Sequence, residues 1–176
     1  FTPDIEMDLC GHATLASAYC LKQYLNYPND EILFNSKSGT IKSKFVKGKI
    51  ELKLPLREPK KVEIPHNLSS AINYKPLEVL KARDFILVFD NQLKIENIKI
   101  KRSEFDKINI DPGGVVFTSQ GNNCDFVSRF FTPQSSIFED SVTGSSHCSL
   151  VPYWSRKLNK KKLKSVQLSE RTGILE

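Results

Sequence analysis

A chain of 176 residues with 39% apolar side chains is long enough to bury a core, which excludes a disordered tail. No run approaches the roughly eighteen apolar residues of a membrane span, and the first residues lack the basic, apolar, small-residue order of a secretory signal, so no membrane partner and a cytoplasmic location are expected. The net charge of +6 is spread thinly; its one dense run, RKLNKKKLK at 156–164, follows an apolar helical stretch and suits the negative end of a helix dipole, so nucleic acid is not an expected partner.

Residues 8–22, DLCGHATLASAYCLK, carry almost no formal charge between Cys10 and Leu21, which predicts a helix apolar nearly all round and therefore buried. Asp8 precedes it as a carboxylate near the positive end of the dipole, and Gly11 leaves room for close approach to the backbone. EILFNSKS, GTIKSKFVKG and KIELKLP follow, with alternation such as Ile50, Leu52 and Leu54, and predict an antiparallel meander. The Pro-bearing stretch from Leu56 to Ala82 reads as a linker or crossover with a weak helix near 68–73. DFILVF at 84–89 predicts a strand, and NIKIKRSEFDKINI fits either a strand plus short helix or one irregular segment. GGVVFTSQ and CDFVSRFFTP predict two more strands joined at GNN. A second apolar helix is expected from about Thr143–Ser145 to Leu158, with Pro152 kinking it or delaying its start. Cys10, Cys20, Cys124 and Cys148 show no paired spacing, so they read as reduced thiols, and neither a metal site nor a glycine-rich nucleotide loop is indicated.

The two apolar helices share a preface. Phe1-Thr2-Pro3 and Phe131-Thr132-Pro133 each lead through an acid to a glycine, and alignment on them sets Asp8 against Asp140, Gly11 against Gly144 and His12 against Ser145. Two helix starts that converge would hold one carboxylate between orphan amides. His12 then serves as hydrogen-bond donor or proton carrier, or caps its helix; Asp140 is an anionic base or substrate anchor; Ser145 is a ligand contact or a simple N-cap. TGSSHC is not a nucleophile elbow.

The stretches FTPDIEMDLCGHATLASAY and EDSVTGSSHCSLVPYW, with GVVFTSQG and DFVSRFFTP, resemble the phenazine-biosynthesis PhzF-like proteins, within the fold group of diaminopimelate epimerase and proline racemase. The resemblance implies an α+β fold of two pseudo-symmetric halves, expected at 1–80 and 81–176, each a curved, mainly antiparallel sheet around a central helix. It implies an isomerase without cofactor or metal, moving a proton on a small carboxylate-bearing metabolite, with His12 and Asp140 catalytic and Gly11, Gly144 and Ser145 binding substrate. Family members also begin with a strand-helix segment bearing a proton-transferring glutamate. That residue has no counterpart here and the closing strands after Leu175 are not found, so a truncated chain, nearly inactive alone, is expected. Two rivals remain, a racemase or epimerase using the Cys10 thiol and a noncatalytic small-anion or polyanion binder; a homodimer is left open.

Overall fold

The computed structural model describes residues 6–110 and 113–176; the first Phe-Thr-Pro lies outside them. Helix α1 spans Gly11–Gln23, built from small and apolar residues and closed by the Tyr24 amide on the Cys20 carbonyl. Strands β1 (Glu31–Ser36), β2 (Gly39–Val46) and β3 (Lys49–Lys53) form the expected antiparallel meander, with Phe34 opposite Ile41 and Ser43 opposite Leu52. Its turns use left-handed backbone at Gly39, Lys47 and Gly48.

α1 is not buried as its composition suggested. Only Gly11 and Ala18 are inside, and Tyr19 is 48% exposed. The reason is coverage: three strands reach one side of the helix, where Leu9 and Ile41 pack with Cys148 and the partly buried Phe34, Leu52 and Leu54. A helix apolar on every side is buried only when something lies on every side.

The second sheet begins earlier than the 80/81 division. Its path runs β11, β10, β8, β7, β6, β5, β4, so β4 (Lys60–Lys61) and β5 (Glu78–Lys81) already belong to it, and the change of sheet falls between Lys53 and Lys60. β6 (Phe85–Val88), β7 (Val115–Gln120) and β8 (Phe126–Phe131) form its centre; β6 and β7 are parallel, β7 and β8 antiparallel. β10 (Ser165–Gln167) lies parallel to β8, β11 (Gly173–Leu175) pairs with β10, and the two-residue β9 (Glu139–Asp140) pairs with β8.

Both faces of this sheet are covered, which is why its central strands are apolar without alternation. Phe85, Leu87, Val115, Phe117 and Phe131 face α2 (His66–Ala71), α3 (Gln92–Glu96) and α4 (Arg102–Phe105), against Leu68, Ile95 and Phe105. The stretch that fitted two readings at 97–110 therefore resolves into a bridge at Ile100 and the short α4. Ile86, Val88, Val116, Phe126 and Phe130 face α5 (Gly144–Leu158), against Leu150, Tyr153 and Trp154. Phe126 and Trp154 stack at 5.7 Å, and the indole N–H donates to Thr118 Oγ1 at 3.0 Å, so the buried tryptophan leaves no polar atom unpaired.

α5 starts on time and runs through Pro152. Proline lacks the N–H that would reach the carbonyl four residues back, which is that of Cys148. The Arg57 backbone N–H takes that carbonyl instead, at 2.9 Å. The break in the helix ladder thus becomes the point where the crossover between the sheets is pinned to α5.

Arg57 also enters an alternating row of charges. Its Nη2 meets Asp8 Oδ2 at 2.8 Å, Asp8 Oδ1 lies 2.8 Å from Arg83 Nη2, and Arg83 Nη1 meets Asp84 Oδ1 at 3.0 Å. Ser38 Oγ donates to Asp8, and the Gly114 amide donates to Asp84. The Asp8–Arg83 contact is close but misaligned for a hydrogen bond, so it acts as a charge pair. Burial would raise the Asp8 carboxyl, but Arg83, with the Arg57 and Ser38 hydrogen bonds, outweighs it and holds the group below its ordinary value. For Asp84, buried at 1% exposure, desolvation wins and its pKa is raised. The row ties the segment before α1 to the first hairpin, the crossover and the start of the second sheet.

Candidate functional site

The two long helices meet start to start. A Cβ on Gly11 would lie 3.3 Å from the Gly144 Cα, and one on Gly144 would lie 3.4 Å from the Gly11 Cα. The missing side chains therefore serve helix contact first, while both backbones line a cavity of about 920 Å³ together with His12 and the apolar Leu52, Leu54 and Phe126. Cys10 and Thr143 are the N-caps, both extended, and neither makes a well-aligned side-chain cap, although the Ala13 amide acts on the Cys10 sulfur. The other first-turn amides have no side-chain cap, and they point with the positive helix ends into one region.

Thr143 Oγ1 is committed elsewhere, donating to Asp140 Oδ2 at 2.6 Å. Gln167, fully buried, holds the same loop: its Nε2 donates to the Asp140 carbonyl at 2.6 Å and lies 3.2 Å from Thr143 Oγ1, while its Oε1 accepts from the Thr143 amide at 2.8 Å. Ser169 Oγ donates to the Ser141 carbonyl, and Arg129 forks Glu139 with contacts of 2.6 and 2.8 Å. Asp140, at the end of β9, and the loop that follows it are thereby stapled to β8 and β10. Gln167→Leu should cost about 1–3 kcal/mol, because the Thr143 amide and Asp140 carbonyl lose their partner without gaining water. Chemical denaturation reads the loss; a change below about 0.5 kcal/mol would show that the staple is not needed.

His12 is exposed to the cavity, with Nε2 3.6 Å from Cys10 Sγ. The Cys10 hydrogen bond is the largest influence on its imidazole; burial opposes it, and the Cys10 and Asp140 charges and the Val142 backbone add to it, so its pKa is pushed up to about 9. The same contact, with help from the Ala13 amide, lowers the Cys10 thiol against the effect of burial. His12 and Asp140 are thus in electrostatic reach of each other.

Ser145 is different. It is 6% exposed and is not part of the cavity wall, and neither is Asp140, which acts through Thr143 and on His12. His147 is a structural histidine. Its Nδ1 donates to the Thr143 carbonyl at 3.0 Å, so Nε2 is the acceptor for Ser165 Oγ at 3.0 Å, and burial lowers its pKa. The basic run is neutralised in part, by Arg156 with Glu58, Lys157 with Glu78 and Lys160 with Asp125. Among the described residues no group of three or more His, Cys, Asp or Glu side chains is arranged around a metal position, and no helix is long and apolar enough to cross a membrane.

Sequence reasoning missed Thr143, Gln167 and the Cys10–His12 contact. Thr143 carried the small-polar N-cap signal one residue before Gly144. Gln167 carried none, being a lone amide in a short strand.

Comparison with known proteins agrees with this architecture. An uncharacterized isomerase of Pseudomonas aeruginosa is 39% identical over 99% of this chain and 67% of its own length, and one of Halalkalibacterium halodurans is 38% identical over 100% and 68%. The chain thus spans about two thirds of these relatives. Among solved structures, a PhzF-family phenazine biosynthesis protein of Enterococcus faecalis superposes with a TM-score of 0.89 at 36% identity, covering 99% of this chain and 67% of that one. A PhzC/PhzF protein of Clostridium difficile gives 0.86 at 39% identity, over 99% and 66%. The fold is α+β and diaminopimelate epimerase-like. With the phenazine biosynthesis-like model matching residues 1–176, the chain belongs to the PhzC-PhzF family.

Proposed function

We propose that this chain carries the proton-transfer site of a cofactor-independent isomerase acting on a small carboxylate-bearing metabolite. The observation that supports it most is the contact of two helix starts at Gly11 and Gly144 beside a charged His12. The uncapped amides receive the carboxylate, and the apolar wall at Leu52, Leu54 and Phe126 holds the carbon skeleton. His12 donates a proton or polarises an oxygen, kept protonated chiefly by Cys10 and to a smaller extent by the charge of Asp140, which Thr143 holds behind the cavity wall. The isomerase names of the relatives point to the same reaction class.

The test is a panel of small carboxylates incubated with the protein in D2O and followed by NMR. Binding that shifts the His12 ring signals, with deuterium entering a substrate carbon only slowly, as suits a chain expected to be nearly inactive alone, is the expected result. Binding without any exchange would favour the small-anion binder, and no perturbation of His12 by any carboxylate would sink the site itself. The paired cations of the basic run speak against a polyanion surface, so binding should be nearly insensitive to Lys161→Ala.

A further inference from the structure

We propose that Cys10 and His12 form a thiolate–imidazolium pair that makes Cys10 a covalent attachment site for small α,β-unsaturated carbonyl compounds. Three features of the structure meet at this sulfur. It lies 3.6 Å from His12 Nε2, close enough to hand its proton to the ring. It is the N-cap of a 13-residue helix, whose positive end favours a thiolate. It is half-exposed beside Gly11 and His12, both of which line the cavity, although Cys10 itself is not part of the cavity wall.

The chemistry balances within the pair. The Cys10 sulfur bonds to the β-carbon of the acceptor, and the double-bond electrons move toward the α-carbon and carbonyl oxygen. The proton that the thiol had yielded to His12 then goes to the α-carbon. Nothing leaves, no oxidant or reductant takes part, and the adduct keeps every atom of both reactants. His12 ends neutral, because its counter-charge is now a thioether. The other thiols lack this arrangement. Cys20 is exposed on α1, whereas Cys124 and Cys148 are pushed toward the protonated form by burial.

This inference does not require the isomerase reading, since labelling is scored without turnover. N-ethylmaleimide is added to the folded protein at pH 6.5, where an ordinary thiol is about 1% ionised, and labelling is quantified on chymotryptic peptides that separate Cys10 from Cys20. Cys10 should react at least about ten-fold faster than Cys20 although it is the less exposed of the two, and His12→Gln should bring its rate down to that of Cys20. After labelling, the His12 ring should titrate well below its unlabelled value. Equal or slower labelling of Cys10 in the unmodified protein overturns the proposal, and so does a folded His12→Gln protein that still labels at the full rate. The wild-type comparison decides even if the variant does not fold.

Discussion

Arg83→Met should cost about 3–5 kcal/mol, a large share of the 5–15 kcal/mol that typically holds a domain together. The arginine is 7% exposed at its side chain and stands between two carboxylates, so its removal leaves Asp84 with the Gly114 amide and Asp8 with Arg57 and Ser38. An isolated buried carboxylate is the expensive product, not the lost pair itself. Asp84 already has a raised pKa, and without Arg83 it rises further. A carboxyl whose folded pKa lies above its unfolded value stabilises the fold at low pH and loses that contribution as pH climbs through the folded value. The deficit of the variant should therefore shrink between pH 7 and pH 5, and Arg83→Met combined with Asp84→Asn should recover part of it. Urea unfolding of the three variants at both pH values reads the effect. A pH-independent deficit would assign the loss to packing of the arginine stem.

How far the site was legible follows from the range of each interaction. The helix start at Gly144 and its end near Leu158 were marked by local signals, a Thr-Gly step and a basic last turn, and the structure has both. The meander was marked by alternation and is present in that register. Burial of α1 was not legible, because an apolar composition states what a helix tolerates and the covering is supplied by other segments. Pro152 illustrates the same limit. A kink or a late start was expected, whereas the helix starts at Gly144 and runs through the proline, its freed Cys148 carbonyl taken by the Arg57 amide from 95 residues earlier in the chain. Asp8 and Arg83 pair across a similar gulf. β10 and β11 escaped notice for a different reason: strands of three residues each are too short for periodicity to register. Gly11 and Gly144 were found by motif, while their reason, the contact between two helices, needed coordinates.

The His12 imidazolium should lose its proton to become neutral imidazole near pH 9, and Cys10→Ser should bring that step down by as much as about two pH units, toward the ordinary imidazole value near 6.5. The hydrogen bond that the protonated ring donates to Cys10 Sγ is the largest of the influences that raise it, and the thiolate charge adds a second contribution, so one substitution removes both. Asp140→Asn removes only a smaller charge effect and should shift the step in the same direction by less. Since Cys10 and His12 share one proton through neutral pH, the apparent values belong to the pair, and thiolate absorbance near 240 nm should fade as the sulfur takes up a proton from solvent at low pH. The consequence for chemistry is a change in the window for proton donation. At pH 7.5 a histidine with pKa near 9 is almost wholly protonated, whereas one lowered by about two units is about one-quarter protonated, so acid catalysis by His12 should fall roughly four-fold in Cys10→Ser at that pH and hardly at all at pH 5.5. NMR titration of the ring Hε1 in the three proteins settles the order. If Asp140→Asn moves the step further than Cys10→Ser, the carboxylate rather than the thiol sets the charge of His12, and the pairing drawn here between sulfur and ring is too strong.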